Sequence, residues 1–149
     1  MNIIIREAAE RDSEVIIGFQ KQMAKETEEL ILDSDTIFKG VHAVFNDAGK
    51  GKYFVAEESG KIIASLMITF EWSDWRNSNV WWFQSVYVLP EFRRHGVFRK
   101  MYTHVRELAL SSGVAGLRLY VESNNNRAHL TYEAMGMNSD HYRMYEWLR

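Results

Sequence analysis

The 149 residues contain no cysteine. Disulfides, thiolate zinc sites and a covalent cysteine intermediate are therefore excluded. Proline occurs once, at Pro90, and no Pro- or Gly-rich linker marks a boundary, so residues 1–149 read as one domain of ordinary size. Basic residues are not in excess. Lys and Arg number 18 against 20 Asp and Glu, a formal net charge of -2, which argues against a general nucleic-acid binder. No long apolar run is present either. The longest, "IIASLMITF", falls far short of the roughly 20 residues of a membrane-spanning helix. The N-terminus "MNIIIREAAERD" turns charged too soon for a signal peptide. These absences point to a cytoplasmic chain with neither a nucleic-acid nor a membrane partner.

Hydrophobic residues make up 46% of the chain, enough for a real core. "NIIIRE" reads as a strand. Asp12 is placed to cap a helix with Ile16, Phe19 and Met23 on one face. "MAKETEELILDSD" interrupts that pattern, and Asp35 is placed to cap a second helix carrying Ile37, Val41, Val44 and Phe45. "YFVAE", "IIASLMITFEW" and "VWWFQSVYVL" read as three strands joined by polar turns, hence antiparallel. In the long middle strand Ile62, Ala64, Leu66, Ile68, Phe70 and Trp72 share one face, and Ile63, Ser65, Met67, Thr69 and Glu71 the other. The third strand is apolar on both faces, which predicts a central position. A helix follows Pro90, with Val97, Met101, Val105 and Leu108 inward and Gly113 at its end. "AGLRLYV" reads as a strand, Asn125 as the cap of a last helix ending at Gly136, and "YRMYEW" as a closing strand. The element order β-α-α-β-β-β-α-β-α-β is a mixed α/β (α+β) fold whose sheet is largely antiparallel, with a parallel strand–helix–strand unit around residues 80–121.

One stretch concentrates positive charge where a strand gives way to a helix: "VYVLPEFRRHGVFRK", Val86 to Lys100. A helix N-terminus has free N–H groups and favours anions. Glycine lets a ligand approach the backbone closely. Without a ligand, Arg93 and Arg94 at this junction would oppose the helix dipole, so their placement reads as a diphosphate cradle.

Arg93, Gly96 and Phe98 stand at the conserved places of the central motif of the GNAT N-acetyltransferase superfamily, which this chain resembles. The family usually has an Arg or Gln, two variable residues, Gly, one variable residue, then Gly or Ala. The resemblance includes the lead-in Val88-Leu89-Pro90-Glu91. It continues at Asn125, Ala128, Tyr132 and Gly136, which match a second motif. Phe98 departs from the pattern, and two placements stay open for it: against the pyrophosphate, or back into the core.

The resemblance implies direct transfer of an acetyl group from acetyl-CoA, as cosubstrate and without a metal, to a primary amine of a small molecule or peptide. It implies acyl-CoA contacts from Val86, Tyr87, Val88, Arg93, Arg94, His95, Gly96, Val97, Phe98, Arg99, Asn125 and Ala128, with oxyanion donors from the backbone near Ser85 to Val88. It implies Tyr132 as the acid for the leaving thiolate. Glu71 is the first candidate for the base. Glu26, Glu28, Asp74 and Trp75 are expected to border the acceptor, carboxylates to draw an ammonium ion and an aromatic wall to hold it. Two other classes stay open: a non-catalytic acyl-CoA sensor, and an RNA-binding module built on "RRHGVFRK". The aromatic C-terminal strand leaves a homodimer open as well.

Overall fold

The structure, a computed structural model, describes residues 1–149. The chain forms two compact units, Met1–Arg118 and Leu119–Arg149. In the first unit β1 (Ile3–Glu7) is followed by a single 3-10 turn, then α1 (Ser13–Glu28) and α2 (Ser34–Asn46). After these come β2 (Lys52–Glu58), β3 (Lys61–Ser73), β4 (Ser78–Val88), α3 (Val97–Ser111) and β5 (Gly116–Arg118). The second unit holds α4 (Asn126–Ala134). The five strands lie in sequence order. The first four pair antiparallel and β5 joins β4 in parallel, so β4 is internal to the sheet, as its two apolar faces predict.

The helices pack as their apolar spacing dictates. Ile16 and Phe19 of α1 are buried, as is Val41 of α2. Ile16 and Val41 form one core cluster with Tyr53 and Val55 of β2, closed by Ile62, Met67, Ile37 and Phe45. On the opposite side, α3 buries Val97, Met101, Tyr102, Val105 and Ala109. Its Tyr102 stacks on Phe83 of β4, with ring centroids 5.5 Å apart. Burial of each large aliphatic or aromatic side chain contributes about 1.5–3 kcal/mol. Together these contacts fix which side of the sheet each helix occupies.

Several local features differ from the sequence expectation. Asp12 does not cap α1. Its carboxylate instead accepts from Ala9 N at 2.8 Å, and from Arg6 at 2.8 and 3.1 Å. Arg6 also reaches Glu57 at 2.9 Å, tying β1 to β2 and to the turn before α1. Asp33, two residues before the expected Asp35, caps α2, with Oδ2 accepting from both Thr36 N and Thr36 Oγ1. α1 runs more than a turn further than its apolar pattern, through Glu28. Ile62 and Met67 pack on the same cluster despite opposite parity, because a bulge around Ile63 interrupts the β2–β3 register.

The closing strand is absent. Residues 142–147 form no strand of the sheet, and Tyr142, Tyr145 and Trp147 are exposed. Alternation alone does not make a strand where no ladder supplies the hydrogen bonds. "AGLRLYV" likewise shortens to Gly116–Arg118. No helix is long and apolar enough to cross a membrane.

Candidate active site

β4 is interrupted at the point where the apolar strand approaches its end. Ser65 of β3 pairs with Tyr87, but Met67 pairs with Gln84. Ser85 and Val86 therefore face the single residue Leu66, and Ser85 takes the left-handed conformation, φ 52°. This is a β-bulge, which turns backbone N–H and C=O groups out of the ladder. Along the other edge of β4, parallel pairing with β5 covers only Val80, Trp81 and Trp82. Beyond Trp82 no strand pairs with that edge, so the ladder forks there, short of the bulged segment.

The turn after β4 completes the arrangement. Pro90–Phe92 form a 3-10 turn. Arg94 (φ 67°) and Gly96 (φ 75°) are both left-handed, and Gly96 stands at the N-terminus of α3 without any side-chain cap. The first intrahelical bond at this end runs from Lys100 N to Gly96 O, 3.1 Å. The N–H groups of Val97, Phe98 and Arg99 thus have no acceptor inside the helix, and the first turn carries no acidic residue. A Cβ placed on Gly96 would meet no atom within 4 Å, so the space over these donors is open. Phe98 points back: its ring lies 6.0 Å from Phe83 and 6.3 Å from Tyr102. Of the two placements left open by the sequence, the core one is taken. Uncapped helix donors, an αL glycine and open space fit an anionic diphosphate.

Arg93 is already engaged. Its Nε donates to Val88 O at 2.8 Å and one terminal nitrogen to Glu26 Oε2 at 2.7 Å. The guanidinium lies 5.3 Å from the Tyr87 ring centroid. Tyr87, buried at 4% exposure, donates its hydroxyl to Glu26 Oε1 at 2.9 Å, with Gln22 Oε1 at 3.2 Å. Arg93 holds the Glu26 carboxyl below its ordinary range. Burial, reinforced by the bond to Glu26, pushes the Tyr87 hydroxyl up to about 12. A cleft of about 380 Å³ beside this cluster is lined by Gln22, Lys25, Glu26, Tyr87, Leu89, Pro90 and Glu91. No spacing in the sequence couples Glu26 to Arg93, so the pair was not legible there.

The base candidate and the four residues expected to border an acceptor are divided among three places. Glu26 and Glu28 lie in the last turn of α1, where Glu26 meets Tyr87 and Arg93. Glu71 sits on β3 opposite Val80. Its Oε1 accepts from Trp82 Nε1 and its Oε2 from Arg118, both at 2.8 Å. This polar line crosses β3, β4 and β5 at the last parallel pair, just before the fork. Asp74 and Trp75 occupy the β3–β4 hairpin tip, where Trp75 is 94% exposed. The strand between Ser78 and Tyr87 separates that tip from the Glu26 end by roughly 25 Å. No three His, Asp or Glu side chains are placed to hold a metal ion.

In the second unit Asn125 caps α4 by accepting from Ala128 N at 3.2 Å, as its spacing predicts. Gly136 adopts φ 89° just beyond the helix. Tyr132 is half-buried on α4, and burial raises its hydroxyl above the ordinary tyrosine value.

Residues 9–137 match the model of the Acetyltransferase (GNAT) family. The chain belongs to this family. Thialysine N-epsilon-acetyltransferase of Bos taurus is 31% identical over 146 residues, covering 90% of this chain and 83% of the bovine protein. The crystal structure of "a possible acetyltransferase from Clostridium difficile 630" superposes with a TM-score of 0.91 at 43% identity, covering 100% of this chain and 99% of that one. The structure of AAC(6')-Iy in complex with a CoA bisubstrate analogue superposes with a TM-score of 0.82 at 18% identity, over 100% of this chain and 99% of that one. At that identity the likeness speaks for the fold alone.

The GNAT chain is thus an acetyl-CoA-dependent N-acetyltransferase, moving acetyl groups to amines.

Proposed function

We propose that the protein acetylates the primary amine of a small, lysine-like or peptide acceptor by direct transfer. The observation that carries this reading is the uncapped N-terminus of α3 immediately after a bulged β4. The bovine relative's named substrate, a lysine analogue, supports the choice of acceptor class. Acetyl-CoA would supply the activated acetyl group. The N–H groups of Val97, Phe98 and Arg99, with the side chains of Arg94 and Arg99, would hold its diphosphate. His95, Asn125 and Ala128 remain proposed contacts by family likeness.

The remaining tasks fall to named residues. Backbone N–H groups of the Ser85–Val88 segment would orient the acyl carbonyl and oppose the negative charge that develops on its oxygen. The amine must lose a proton before it attacks the carbonyl carbon. Glu28 is exposed at the end of α1 and is available to draw the ammonium ion and, directly or through water, take that proton. Glu71 has both oxygens engaged by Trp82 and Arg118, which suits it to pinning the fork more than to accepting a proton. Asp74 and Trp75 would serve only an acceptor long enough to reach the hairpin tip. As the C–S bond breaks, the Tyr132 hydroxyl would give its proton to the leaving sulfur. A tyrosine hydroxyl carries its proton at neutral pH, and burial raises this one further.

The test is a panel of primary amines with acetyl-CoA, reading released CoA with a thiol reagent. The absence of cysteine removes protein background from that assay. Turnover should concentrate on flexible side-chain amines of the lysine type. Binding of CoA without turnover on any amine would overturn the proposed acceptor class.

A further inference from the structure

A polar cluster joins the end of α1 to the end of β4. Arg93 leads the turn into α3, yet its side chain is directed away from the open α3 donors. It doubles back to Val88 O, lies over Tyr87 and ends on Glu26. One carboxylate thereby receives donors from two places, the Tyr87 hydroxyl on Oε1 and the Arg93 guanidinium on Oε2. Arg94, the next residue, is the first left-handed position of the turn. Fixing Arg93 fixes where that reversal begins, and so where the N–H groups of residues 97–99 point.

We propose that Glu26 is a positioning residue: it holds Arg93 against Val88 and Tyr87, sets the path of the β4–α3 turn, and so tunes CoA affinity from the end of α1. This rests on the reading of the turn as the diphosphate site. It also gives Glu26 a task different from attracting the acceptor. Three features favour it. Both carboxylate oxygens are committed. The Arg93 side chain is closed on its own strand by Val88 O, so the contact constrains backbone as well as side chain. The ion pair is partly exposed, at 43% and 38% for the two side chains, and such pairs add little to global stability. A large effect on ligand affinity with a small effect on melting is therefore the signature of positioning.

The test is calorimetric CoA binding to wild type, Glu26→Gln, Arg93→Gln and the double variant, with steady-state kinetics and thermal melts on each. Glu26→Gln retains an oxygen for Tyr87 and removes the charge held by Arg93. Its CoA Kd should rise roughly tenfold, the size of one charge-assisted hydrogen bond. Acceptor KM at saturating acetyl-CoA should stay within about twofold. In the Arg93→Gln background the Glu26 change should add nothing, since Glu26 acts through Arg93. Unchanged CoA affinity in Glu26→Gln overturns the proposal, as does a rise confined to acceptor KM. Tighter CoA binding by Glu26→Gln also overturns it, because Glu26 would then be competing with the ligand for Arg93. Failure of wild type to bind CoA at all is a separate result. It would sink the diphosphate reading of the turn, and the positioning role with it.

Discussion

Replacing Gly96 with valine separates the needs of the fold from those of the ligand. Gly96 holds φ 75°, ψ 16° at the N-terminus of α3, a region that disfavours any Cβ by about 1–2 kcal/mol. No atom lies within 4 Å of the position a Cβ would take, so steric collision adds nothing within the protein. The stability loss should therefore be about 1–2 kcal/mol, a fall in melting temperature of roughly 2–8 °C for a chain of this length. The ligand faces a different situation. The valine methyl groups would enter the open space above the first-turn N–H groups of α3. Losing two charge-assisted bonds of about 1.5 kcal/mol or more each weakens binding by at least roughly 100-fold. The assay pairs a thermal melt with calorimetric titration of CoA. A variant that melts as expected but binds CoA within tenfold of wild type would show that the diphosphate does not sit on this turn.

Tyr132→Phe removes only the hydroxyl. Turnover should fall by roughly 10²–10⁴-fold with CoA affinity little changed, and an unaltered kcat would return Tyr132 to packing. Glu71→Gln keeps an acceptor for Trp82 but loses the charge facing Arg118. It should destabilise by no more than about 1 kcal/mol and leave the shape of the pH–rate profile unchanged. A shift of activity toward higher pH would make Glu71 the base. Asp12 is held below its ordinary carboxyl value chiefly by its hydrogen bonds to Arg6. A depressed value stabilises the fold above the unfolded pKa, about 3.9, and that contribution disappears as pH falls through the folded value. Wild type should hold a constant melting temperature down to about pH 5 and lose it below about pH 4. Asp12→Asn should melt lower at pH 7 and show a shallower acid slope, and an equally steep slope would assign acid sensitivity elsewhere.

Much of the framework was legible because short-range rules governed it. Alternating and helical periodicities placed all four helices and five strands. Asn125 and Gly136 bracketed α4 through local capping chemistry. The strand-to-helix junction at Pro90–Gly96 was legible for the same reason. What escaped depends on distant partners. Asp33 and Asp35 are equally good caps by type, and the hydroxyl of Thr36 decides between them. "YRMYEW" alternates like a strand but has no ladder to join. Ser85 gives no warning of a left-handed backbone, since serine has no special tolerance for it. The bonds of Glu26 to Arg93 and of Glu71 to Arg118 cross 67 and 47 residues, and no spacing rule reaches that far. For that reason the expected acceptor cluster merged residues that lie at opposite ends of β4.

The bulge at Ser85 also settles an inside–outside question for the whole sheet. Phe83 and Tyr87 are four residues apart, and an unbroken strand would turn both to the same side. Instead Phe83 meets Tyr102 of α3, while Tyr87 meets Phe19 of α1, 5.2 Å between ring centroids. The inserted residue works like a frameshift in the side-chain code of the strand, letting one strand furnish aromatic anchors to both cores. Deleting Ser85 would leave Tyr87 three places after Phe83, so a regular strand would still turn the two rings to opposite sides, and what would be lost is the outward-turned backbone of the bulge. The deletion should therefore keep the fold while weakening CoA binding, whereas Ser85→Gly, which tolerates the left-handed backbone, should leave both intact, a contrast that thermal melts and CoA titration of the two variants would expose.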